Sequence, residues 1–127
     1  SQVDYVSNVI KKEGNAWKEG LNGFPIGTAV EVFSFNTLEM IWKKSIDIYE
    51  REHVTEYIIR HPEQFSIGFI ENSEDLSKYR IVVDNPDDFD ITSKIIVSFP
   101  KNQIFNISNV VRVLKKMDDN SGEDTKN

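Results

Sequence analysis

Asp84 follows the β-branched run Ile81-Val82-Val83 and precedes Asn85-Pro86-Asp87-Asp88, so it falls where a strand hands over to a helix. A carboxylate there has two uses. It can cap the turn, or it can serve as a magnesium ligand, because hard cations take carboxylate oxygens and often bridge to a substrate phosphate. Asp87 and Asp88 fit a local role better, since the positive end of a helix dipole favours acids for its own reasons. Glu31 is a second candidate. In Val30-Glu31-Val32-Phe33-Ser34-Phe35 the strand alternation puts it on one face with Phe33 and Phe35. A carboxylate on an apolar face is either exposed at a rim or paired and useful. A third group is Arg51, Glu52, His53 and Thr55, read as crowding the first turn of a helix, where backbone N–H groups also receive anions. A solvated helix face is the plainer account of it. His53 and His61 stand eight apart, which is not zinc spacing. No serine elbow, GxxxxGKS or GxGxxG motif is present, so a nucleotide pocket here would lack its usual phosphate loop.

Several elements must hold these groups. Asp4–Asn8 reads as a short strand, Lys11–Gly27 as a polar loop with four glycines, and Ala29–Phe35 as a second strand. Asn36 and Glu39 have capping-box spacing ahead of an apolar face built from Leu38, Ile41, Trp42, Ser45, Ile46 and Tyr49. A further helix is predicted from about Arg51 to His61, stopped by Pro62. Phe65, Ile67 and Phe69 alternate with polar or small residues as in a half-buried strand. After the acidic connection Glu71–Lys78 comes a strand at Ile81–Val83. A helix then runs from Pro86 to about Phe99 with Asn85 as N-cap, and Thr92, Ile95, Ile96 and Phe99 face inward. Ser108 would cap a last helix bearing Val110, Val111, Leu114 and Met117. Residues 1–117 are expected to form one mixed α/β domain, and the polar residues 118–127 a disordered tail.

Composition limits the function classes. With 127 residues, 39% hydrophobic content and 11% aromatics, the chain can bury one modest core. A net charge of −6 with no basic block argues against nucleic acid as a partner. No run is long enough to cross a membrane, and no membrane partner is expected. The absence of cysteine excludes thiol catalysis, disulfides and thiolate metal sites in this chain, and fits a cytoplasmic setting.

Five stretches occur together in register: Asp4-Tyr5-Val6-Ser7-Asn8; Phe24-Pro25-Ile26-Gly27; Glu31-Val32-Phe33-Ser34-Phe35 with Leu38-Glu39; Glu50-Arg51-Glu52-His53-Val54-Thr55-Glu56-Tyr57-Ile58; and Val83-Asp84-Asn85-Pro86-Asp87-Asp88-Phe89. From about residue 3 to about residue 115 the chain resembles the second half of a sugar cytidylyltransferase. The family is that of the acylneuraminate and 3-deoxy-manno-octulosonate cytidylyltransferases, and the branch is the one named for spore coat polysaccharide biosynthesis protein F.

The resemblance implies part of a three-layer α/β/α nucleotide-diphospho-sugar transferase-like fold with a mixed sheet, without its N-terminal nucleotide-binding half. It implies a reaction of CTP with an acidic sugar, giving a CMP-sugar and pyrophosphate for surface polysaccharide synthesis, with Mg2+ as cofactor and a homodimer as the assembly. Asp84 matches the magnesium-binding aspartate of the family's Val-Asp-Thr-Pro-Glu-Asp motif. Glu31, Arg51, Glu52, His53 and Thr55 match the sugar side of the pocket. Ala29 departs from the branch, which usually has Asp there. The triphosphate-binding basic residues and a further metal aspartate belong to the half not seen here, so this chain alone is expected neither to bind CTP tightly nor to turn over. The alternative is a stand-alone, non-catalytic module that binds a sugar or mediates dimerisation.

Overall fold

Tyr5–Ser7 (β1) is the middle strand of a sheet, with Tyr5 and Ser7 buried on one side of its pleat. The computed structural model describes residues 3–123, the side chains of 121–123 excepted. Its contacts divide the chain into two compact units where the sequence suggests one domain over 1–117. The first comprises residues up to Phe24 with Thr28–Ser77, and the second Pro25–Gly27 with the chain from Lys78 onward.

In the first unit, Ile10–Glu13 (β2) and Ala16–Glu19 (β3) form an antiparallel ribbon with Glu13 opposite Ala16. The expected polar loop over Lys11–Gly27 is therefore partly a hairpin. Gly14-Asn15 makes its two-residue turn, and Gly14 at φ +61° meets the demand of a II′ turn for a positive φ at its first position. The ribbon is polar because most of it faces water; Glu13 pairs with Lys11 at 2.9 Å and Lys18 at 2.7 Å.

Glu31–Phe33 (β4) lies antiparallel to β1, shorter than the predicted Ala29–Phe35. Phe35–Lys44 (α1) follows at once. Its N-cap is Ser34, whose Oγ accepts from Thr37 N–H at 3.1 Å, so the cap lies two residues before the expected Asn36. The predicted helical face through Tyr49 stops early: Ile46 is 90% exposed, and the chain restarts as Ile48–Glu52 (α2), whose N-cap Asp47 accepts from Tyr49 and Glu50 N–H. A second break at His53–Thr55 separates α2 from Glu56–Arg60 (α3), where one helix over 51–61 is expected. Ile67–Phe69 (β5) then joins β1 in parallel, giving a mixed sheet of order β4-β1-β5. Tyr5, Ile10, Ile41, Tyr57, Ile58 and Phe65 form the core of this unit. Fully burying side chains of this size contributes roughly 1.5–3 kcal/mol each.

In the second unit the predicted strand Ile81–Val83 does not form. Only Arg80 bridges, to Ile26, and Val83 is 55% exposed. A β-branched run favours a strand only where a partner edge exists, and here the pairing ends after Ile81 N–H reaches the Ile26 carbonyl at 2.8 Å. Pro86–Val97 (α4) begins as predicted, with Asn85 Oδ1 accepting from Asp88 N–H at 2.9 Å. It buries Ile95 but leaves Ile96 exposed, against the expected inward face, and stops short of Phe99. Ile107–Glu123 (α5) packs with Val110, Val111 and Leu114 buried. Asn106 and Asn109 exchange side-chain to backbone bonds at its start, so the cap precedes the expected Ser108. Residues 118–123, predicted to be tail, continue this helix; 124–127 lie outside the described residues. Among the described residues no helix is long and apolar enough to cross a membrane.

Candidate functional site

Glu31 sits where the β1–β4 ladder ends, opposite Ser7 and diagonal to Tyr5. Its Oε1 accepts two hydroxyl donors, a short bond from Tyr5 Oη and one from Thr55 Oγ1 at 2.8 Å. Glu31 is thus exposed at a rim and also paired. Tyr5 is fully buried, and that burial, followed by the adjacent Glu31 carboxylate, pushes its phenol well above the ordinary value of 10.0. The phenol therefore stays protonated and donates.

These groups line a cleft of about 440 Å³ within the first unit. Its wall carries Glu31, His53 and Thr55, which the family resemblance puts on one side of the pocket, and also Tyr5, Tyr49, Glu19 and Glu56. The break between α2 and α3 makes this possible. By ending the helix at Glu52, the chain turns His53 and Thr55 toward the strand end instead of spreading them around one helix. His53 packs on Tyr49 with ring centroids 4.3 Å apart. That contact has a sequence signal, since Tyr49 and His53 stand four apart, the spacing of helical neighbours. Tyr5 had none beyond its place in a strand. Glu56 is held by Arg60 at 2.9 Å, and the same guanidinium lies 4.9 Å over the Tyr49 ring.

Arg51 and Glu52 do not line this cleft. Arg51 and Glu52 occupy the end of α2 rather than the start of a helix, so the expected anion-receiving first turn is absent at that place. The Arg51 guanidinium donates to the Trp42 carbonyl at 3.3 Å and the Ser45 carbonyl at 3.1 Å, satisfying groups left over where α1 stops. Glu52 is exposed.

Asp84 belongs to the second unit and follows a segment outside any sheet. Its Oδ2 accepts from Arg80 Nη2 at 2.6 Å, and its side chain is 70% exposed. Asp88, predicted to serve only the helix start, is buried and accepts from Arg80 at 3.0 and 3.1 Å and from Asp84 N–H at 3.0 Å. The Arg80 guanidinium holds the Asp88 carboxyl below the ordinary carboxylate range. Among the described residues no three acids or histidines gather as a metal cage. Asp84 offers one carboxylate, with one oxygen already engaged by Arg80; an Mg2+ ion usually takes one or two carboxylates, with substrate phosphates and water completing the shell.

The fold is a mixed α/β arrangement of the nucleotidyltransferase kind, as found in a cytidylyltransferase. The structure it matches is a cytidylyltransferase from Leptospira borgpetersenii serovar Hardjo-bovis, with a TM-score of 0.76 and 25% identity over 92% of this chain and 44% of that one. In sequence the chain is similar to the uncharacterized protein MJ1063 of Methanocaldococcus jannaschii, 39% identical over 66 residues, half of this chain and 27% of that protein. The chain thus spans 44% of the length of the one and its match 27% of the other. No protein-family model matches the chain.

Proposed function

We propose that this chain is the sugar-side portion of a CTP-dependent sugar nucleotidyltransferase. The likeness to the cytidylyltransferase structure across 92% of the chain carries this reading. In the reaction a sugar hydroxyl attacks the α-phosphate of CTP. A sugar–phosphate bond forms, the bond to the β-phosphate breaks, and CMP-sugar and pyrophosphate leave. Positioning and charge stabilisation do most of such work.

The cleft around Glu31, His53 and Thr55 is the proposed seat of the sugar. Glu31 fixes Thr55 at the rim, and the Tyr49 and His53 rings, tilted 52° to each other, give an aromatic wall for a sugar ring. Asp84 is proposed as one Mg2+ ligand, with Arg80 as its partner when no ion is bound. Bound there, the ion would neutralise charge developing on the phosphates. The resemblance extends the reading to an acidic sugar, a homodimer and a role in surface polysaccharide synthesis.

The test is pyrophosphate release from CTP, Mg2+ and a panel of sugars by the complete protein that carries this chain. Release that depends on both a sugar and CTP supports the reading; CTP-independent binding of sugar with no release under any condition supports the non-catalytic module instead. An Asp84→Asn protein that keeps full activity and its Mg2+ dependence removes Asp84 from the metal site.

A further inference from the structure

The polar atoms of the Glu31 cleft have a direction. Tyr5 and Thr55 both point their hydroxyl hydrogens inward, at Glu31 Oε1. What Thr55 Oγ1 and Glu31 Oε2 offer a ligand is therefore lone pairs. Glu19 adds a second carboxylate on the β3 side of the cleft, while Glu56 is already held by Arg60. Among the described side chains that line the cleft, only His53 and Tyr49 have a hydrogen left for a ligand and none is a lysine or arginine, the nearby Arg60 being engaged with Glu56. A carboxylate entering it would meet two carboxylates and few donors, whereas a hydroxyl or ammonium group would find an acceptor at each of these positions.

We infer that this cleft takes the donor-bearing end of its ligand, an amino sugar in preference to a neutral sugar and a neutral sugar in preference to a sugar acid. The inference rests on the cleft being the sugar site, and it sets the class of sugar group that enters. If the substrate carries a carboxylate, that carboxylate stays outside this cleft.

Glucosamine, glucose and glucuronate share one ring and differ in charge, so they make a matched series. Each is titrated into the chain at low ionic strength, with binding followed through the amide resonances of His53 and Thr55. Glucosamine is expected to bind at least about fivefold more tightly than glucuronate, the scale of one half-exposed charge contact. Glu31→Gln replaces one oxygen by an amide donor and is expected to shrink that preference. Glu19→Gln, on the exposed ribbon, should do so too and serves if the Glu31 variant fails to fold. Glucuronate binding most tightly, or a preference unchanged in Glu19→Gln and in a folded Glu31→Gln, overturns the inference while leaving the sugar site in place. If none of the three sugars moves these resonances, the sugar site itself falls, and the inference with it.

Discussion

Arg80 and Asp88 meet fork to fork: Nε lies 3.0 Å from Oδ1 and Nη2 lies 3.1 Å from Oδ2. Paired N–H to carboxylate bonds of this kind fix orientation as well as adding energy. Because Nη2 also reaches Asp84 at 2.6 Å, one guanidinium ties the segment before α4 to the first turn of that helix. Asp88 is thus a structural anchor.

Asp88→Asn should lower the urea midpoint and change how stability depends on acid. The folded-state value of Asp88 lies below 3.8, so its contribution is complete above that pH and disappears as pH falls through the lowered value. The parent should therefore lose stability more steeply than Asp88→Asn on acidification below about pH 4. Urea titrations at a series of acid pH values measure this; parallel curves would refute it.

Tyr5 gives the opposite signature. Its phenol is raised above 10.0, so its contribution is complete below that value and declines as pH rises beyond it. Tyr5→Phe should cost about 1 kcal/mol at neutral pH, the worth of an ordinary hydrogen bond, and flatten the alkaline loss of stability. Ultraviolet titration should show a late-ionising phenol, and that late phase should vanish in Tyr5→Phe.

Gly27 and Gly14 both hold positive φ, at +96° and +61°, yet they should respond differently to alanine. A Cβ at Gly27 would collide with the Ile81 carbonyl and the Val82 side chain, whereas one at Gly14 meets nothing within 4 Å. Gly27→Ala should cost clearly more than ~1 kcal/mol, because space and conformation both oppose it. Gly14→Ala should lose only the smaller conformational part. Thermal denaturation of the two variants side by side is the measurement, and equal losses would count against the close approach at Gly27.

Arg51→Ala should cost about 1 kcal/mol through the carbonyls of Trp42 and Ser45. Sugar affinity in the Glu31 cleft should be unchanged. A variant of full stability with lost sugar affinity would return Arg51 to the ligand side.

Local chemistry was the part most legible in the sequence. Asn85 and Pro86 declare the start of α4, because a cap needs only its own next three residues. The alternation at Phe65–Phe69 likewise marks β5, shortened to Ile67–Phe69 by what it pairs with. Misreadings arose where a partner decides the outcome. Ile81–Val83 has strand composition but pairing stops beside Ile26. The Ile10–Glu19 ribbon was hidden by its polarity, although Gly14-Asn15 is a hairpin signal. Within the candidate site, Glu31, His53 and Thr55 stand out in the sequence by residue type, but only the family resemblance joins them in one pocket. Tyr5 and Asp88 do not stand out, because each acquires its role from a group met only after folding, Glu31 for one and Arg80 for the other.

The sheet of the first unit ends, among the described residues, on β4 at one side and β5 at the other, each only three residues long. Strands that short offer a passing chain very few rungs, too few to hold it in register, and very short edge strands are one of the ways natural sheets blunt their edges. These edges should therefore not seed fibrils, and clumping of the isolated chain should answer to detergent, as contacts between greasy side chains do, rather than produce the cross-β spacing of amyloid.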